Sequence, residues 1–81
     1  MTAFYIVATL SQCLIRTPEL FIDQFLHEIE YVKHISFERH GIQLYIGVKI
    51  EGMLTQDREI EINDVIRSVL EGVRNESGFT V

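Results

Sequence analysis

The chain has 81 residues, a formal net charge of −5 and one cysteine. That length supports a single domain spanning residues 1–81, which buries only about 60–65% of the surface its unfolded form exposes, and a lone thiol excludes an internal disulfide. The seven Lys and Arg residues are scattered, no two of them adjacent, which argues against nucleic acid or an anionic membrane surface as the partner.

The first element is read at Phe4–Leu10, a run rich in β-branched and aromatic residues. Phe4, Ile6, Ala8 and Leu10 line one face of that strand; Tyr5, Val7 and Thr9 line the other. Both faces are fairly apolar, which suits a central strand or one whose second face meets another subunit. No Lys or Arg precedes the apolar run, and Ser11 and Gln12 interrupt it, so it does not read as a signal peptide. It is too short for a transmembrane helix. A cytoplasmic protein is expected.

Thr17-Pro18-Glu19 marks a helix start. Thr17 suits the cap, Pro18 the first helical position and Glu19 the positive end of the dipole. Phe21, Ile22, Phe25, Leu26, Ile29 and Val32 then recur at helical spacing, which predicts a helix to about Lys33.

A hairpin follows, with strands at about 34–39 and 42–50 around a two-residue loop, His40-Gly41, where glycine permits a positive φ. That register pairs Phe37 with Leu44 and Ile35 with Ile46, so the apolar residues share one face. Ser36, Glu38, Gln43 and Tyr45 fall on the wetter face. Ile42, Leu44, Ile46, Val48 and Ile50 alternate strictly, as a half-buried strand does.

Residues 51–57 read as a loop that exposes Met53 and Leu54. Residues 58–62 alternate Ile60 and Ile62 with Glu59 and Glu61, which suggests a further strand, or else a run-in to the second helix. Asn63 or Asp64 is the expected cap of that helix, whose stripe is Val65, Ile66, Val69, Leu70 and Val73, with Asn75 and Gly78 at its end. Residues 79–81 are a short edge strand or a tail.

These elements make an α+β fold, one antiparallel sheet of three or four strands with two amphipathic helices on one face. The order is βαβββα if residues 58–62 join the sheet. It is βαββαβ, which resembles the ferredoxin-like topology, if residues 78–81 do. The first order is favoured, because three C-terminal residues make a poor strand.

No constellation of catalytic residues stands out, and neither a cofactor nor a metal is expected. His27-Glu28 opens like a zinc-protease motif, but Tyr31 stands where the second histidine belongs. His27 and His34 would be about 10 Å apart on a helix, too far to share a metal. Asp23–His27 and Glu30–His34 read as ordinary surface pairs. Cys13 has no neighbouring histidine and reads as an inert thiol. The glycines never cluster into a phosphate loop.

What stands out is the sheet itself. A strand apolar on both faces should not leave its second face in water. Tyr5, Val7, Thr9 and Tyr45, extended by Met53 and Leu54, form the expected protein interface. The chain is accordingly read as a small non-enzymatic protein-binding module, regulatory or inhibitory. It would act as a homodimer or on a larger protein partner, in the manner of phage or mobile-element accessory proteins. The alternative is a small-ligand-binding domain or enzyme with its site at a subunit boundary.

Overall fold

A computed structural model describes residues 1–10 and 17–71. Its elements are β1 (Thr2–Thr9), α1 (Pro18–Leu26), β2 (Val32–His40), β3 (Gln43–Ile50) and α2 (Gln56–Leu70). The three strands form one antiparallel sheet in the order β1-β3-β2. The fold is α+β, as the alternating and helical periodicities require.

The core lies between the sheet and the helices. Leu44, Ile46, Val48 and Ile50 of β3 are fully buried against Ile22 and Leu26 of α1 and Ile62 and Val69 of α2. Phe4, Ile6, Ile35 and Phe37 of the outer strands pack around them. Among the described residues no polar or charged side chain is buried, so the core asks for no internal hydrogen bonds.

Four sequence expectations are corrected. Residues 58–62 are not a strand; they lie within α2, which begins at Gln56. The alternation misled because Ile62 is fully buried while Ile60 is 52% exposed. Ile62, Val65, Ile66 and Val69 recur at helical spacing and form the buried stripe. The βαβββα order is therefore excluded, and the described residues run βαββα. Residues 78–81, which the ferredoxin-like order requires, lie outside the described residues, as do Cys13, Val73 and Asn75.

The cap of α2 is Thr55, not Asn63 or Asp64: its hydroxyl accepts from the Arg58 backbone N–H at 3.2 Å. At the start of α1, Pro18 occupies the first turn and is buried. Thr17 makes no side-chain cap bond, and its carbonyl accepts from the Leu20 N–H instead.

α1 stops at Leu26 rather than near Lys33. Glu28, Ile29 and Val32 each donate to a carbonyl three residues back, so tight turns continue the three-residue spacing of apolar positions beyond the helix. Ile29 and Val32 keep packing against the core, and periodicity alone gives no stop signal.

The hairpin register is shifted by two residues. Phe37 pairs with Ile46 and Ile35 with Val48, around a loop of Gly41 and Ile42. Gly41 has φ +61°, and no described non-glycine residue has a positive φ. A His40-Gly41 loop of the favoured type I′ needs positive φ at His40 too; placing Gly41 first needs it only at glycine, as in type II′. A two-residue shift preserves side-chain parity, so the residues of β3 keep the faces that alternation assigned to them, whereas Ile42, read as the first strand residue, falls in the loop and is 59% exposed.

Candidate protein-interaction face

Both helices cover one side of the sheet, and the cross-strand pairings order the other side into rows. Tyr5, Gly47 and Ser36 form one row; Val7, Tyr45 and Glu38 form the next. Ala3, Lys49 and His34 lie at one end, and Thr9, Gln43 and His40 at the other. Tyr5 is 75% exposed and Val7 is 50% exposed.

Aromatic side chains dominate the middle of this face. Gly47 makes room for Tyr5: a methyl there would collide with Ser36 Oγ and stand 3.1 Å from the Tyr5 ring. The ring thus lies across a strand position that has no side chain of its own. Tyr45 is half-buried; its hydroxyl donates to Gln43 Oε1 at 3.5 Å, and its ring meets His40 edge-on at 5.1 Å between centroids. His40 in turn lies 3.5 Å from Glu38. These contacts hold Tyr45 against the β2 side of the sheet and leave the Tyr5–Val7 side more open.

The structure brings Tyr5, Val7, Thr9 and Tyr45 together on one face, where strand parity puts them. Met53 stands apart on the loop between β3 and α2, 78% exposed. Leu54 packs against the core and contributes little exposed surface. Lys49 and His34 belong to the same face as a polar end, and parity alone assigns both once the strands are aligned. His34 is a β2 residue rather than a helical partner of Glu30. The Asp23–His27 pair exists at the end of α1, with Nδ1 of His27 3.3 Å from the Asp23 carboxylate.

The face is shallow. The hollow beside Tyr5, Ser36 and His34 has a volume of about 50 Å³, far below the roughly 300–1,000 Å³ of a small-molecule site. A larger groove of about 690 Å³ opens on the opposite side, between the turns after α1 and the start of α2, and is lined by Glu28, Tyr31, Ile60 and Glu61. There Tyr31 donates to Glu61 Oε1 at 2.5 Å, and the Arg58 guanidinium sits 4.3 Å from the Tyr31 ring centroid. Burial, then the hydrogen bond and charge of Glu61, push the Tyr31 hydroxyl up to about 12, against a smaller lowering by Arg58. Arg58 also donates to the Glu51 and Met53 carbonyls and so pins the loop that carries Met53.

Among the described residues no group of three or more His, Cys, Asp or Glu side chains is arranged to hold a metal ion. None of their helices is long and apolar enough to cross a membrane. No family model matches the sequence, and no curated protein or solved structure is significantly similar to it.

Proposed function

We propose that this chain is a non-enzymatic protein-binding module that docks a larger protein on the helix-free face of its sheet, and so regulates or inhibits it. The observation that carries this reading is the pair Tyr5 and Val7, adjacent on β1, on the uncovered face and at least half exposed. Covering them together with the Tyr45 ring is worth on the order of 3–5 kcal/mol in apolar burial. Aromatic anchors ringed by polar groups are the usual make-up of a binding hot spot. Here Glu38, Gln43, Lys49 and His34 supply the rim. A shallow surface suits a protein better than a small molecule, which needs a concave site.

The test is site-specific photo-crosslinking in the native cell. A crosslinker at Tyr5 or Tyr45 should capture a protein of defined mass, and one at Gln24 on the exposed side of α1 should not. Tyr45→Lys should abolish capture from Tyr5 while the circular dichroism spectrum stays unchanged. Equal capture from all three positions, or capture unaffected by Tyr45→Lys, would remove the sheet face as the docking surface.

A further inference from the structure

The two edges of the sheet are built differently. The β2 edge carries Lys33, His34, Glu38 and Arg39, and a bulge interrupts its pairing between Val32 and His34. Charges and bulges are the usual devices that keep a sheet edge from recruiting another strand. β1 has neither. Its eight residues, Thr2 to Thr9, contain no charge and no proline, and they pair with β3 in unbroken register. No described strand pairs with its outer edge.

Beside that edge runs a groove of about 410 Å³. Ile6 and Ala8 form one wall; Ile66 and Leu70 of α2 form the other, with Arg67 and Glu71 at the rim. An open strand edge next to an apolar groove under a helix is a site where an added strand gains backbone hydrogen bonds and pockets for alternate side chains.

The direction of the free groups follows from one bond. The Leu10 N–H donates to the Ile42 carbonyl, so the even-numbered residues of β1 are those that exchange hydrogen bonds with β3. The N–H and C=O groups of Ala3, Tyr5, Val7 and Thr9 therefore point outward.

We infer that the β1 edge takes β1 of a second copy of this chain, antiparallel, with Ile6 opposite its own copy. Four features select this occupant and this register. All four outward residues are used, Ala3 against Thr9 and Tyr5 against Val7. Pairing residues of the same parity keeps the helices of both copies on one side, so the sheet continues across the axis. The large Phe4 of each copy falls opposite the small Ala8 of the other, at the groove beneath Ile66 and Leu70. No charge meets its own copy along the seam, whereas pairing through β2 would bring its like charges together.

The edge is about 26 Å long, eight residues at roughly 3.3 Å each. The molecule's smallest extent is 18 Å. The seam thus covers on the order of 500 Å² per copy, below the ~800 Å² of a standard interface, so the dimer dissociates on dilution. The seam uses the outward backbone groups of Tyr5 and Val7, whereas the docking reading uses their side chains on the helix-free face, so the inference stands without that reading.

Sedimentation and residue-resolved hydrogen exchange over a hundredfold concentration range test the inference on the full chain. A dimer mass is expected at high concentration. The Tyr5 and Val7 amides should exchange slowly there and rapidly on dilution, while those of Ile6 and Ala8 stay slow throughout. Val7→Pro removes one outward donor per copy yet keeps an apolar side chain, and proline is tolerated where the N–H faces outward on an edge. It should weaken association about tenfold or more. Tyr45→Lys charges the open face from β3 and leaves the β1 edge unchanged; it should change association less than about threefold by the same conversion.

A monomer mass at every concentration would overturn the inference. So would protection of the Tyr5 and Val7 amides that is independent of concentration, because the edge would then be occupied within one chain. Dissociation by Tyr45→Lys but not by Val7→Pro would also overturn it, and would assign self-association to the sheet face.

Discussion

Arg39 and Glu19 meet through three hydrogen bonds of 2.9–3.2 Å, tying the end of β2 to the first turn of α1. The guanidinium reaches both carboxylate oxygens. Arg39 belongs to the covered face of β2 and Glu19 to the positive end of α1, so one pair closes the helix layer onto the sheet. Both side chains are partly exposed, which keeps the energy small. Glu19→Gln should lower unfolding free energy by about 0.5–1 kcal/mol at low ionic strength, and by less at high salt. Urea titrations at two salt concentrations measure this. A salt-independent loss would mean that packing rather than charge holds the two elements.

Gly47 is the tightest position under the Tyr5 ring. Gly47→Ala should destabilise the fold by about 1–3 kcal/mol and displace that ring. Removing Ser36 Oγ frees part of the space, so Ser36→Ala combined with Gly47→Ala should cost less than the sum of the single changes. Chemical denaturation gives the energies, and the Tyr5 ring shifts by NMR report the displacement. Strict additivity would count against the crowding.

Thr55 sets where α2 begins. Thr55→Ala leaves the Arg58 N–H without its side-chain acceptor and should cost about 1 kcal/mol, whereas Thr55→Ser should be close to neutral. Thermal unfolding of the two variants distinguishes loss of the cap from loss of the methyl group. If Asn63 were the operative cap, Thr55→Ala would have little effect.

Tyr31 links stability to alkaline pH. Its hydroxyl is raised from 10.0 to about 12 in the folded chain, so the folded state holds this proton more tightly than the unfolded state does. The stabilisation is fully present below pH 10 and is lost as the pH rises through 12. Tyr31→Phe should remove that part of the decline. Stability measured from pH 9 to 12.5, with tyrosinate absorbance followed in parallel, gives the comparison.

How much of this was readable from the residues depended on whether a pattern had one physical meaning. Alternation along Phe4–Leu10 and Ile42–Ile50 had one, and it put Tyr5, Val7, Thr9 and Tyr45 on a common face. Alternation at 58–62 had two, because Ile60 and Ile62 also fit a helix in which only Ile62 is buried. Length could not separate those two. The end of α1 was hidden for a related reason: the turns from His27 to Tyr31 keep helical spacing. The hairpin register rested on which loop position needed positive φ, and both choices used the same glycine. The two-residue error put Ile42 in the turn but left the faces of β3 correct, so the candidate face survived it. The contrast between the β1 and β2 edges was not readable at all, because it required knowing that β3 lies between them.

That central place of β3 also governs how the chain reaches its native state. The β2–β3 hairpin closes over a two-residue loop and can form within microseconds. β1 joins only when the chain brings distant segments together; its Thr2 hydroxyl donates to the Gly52 carbonyl fifty positions away. Docking of β1 therefore carries the larger loop-closure entropy and completes after the hairpin has formed. Changes at the β2–β3 turn should then alter the unfolding rate little, and changes in β1, closing last, should alter it most.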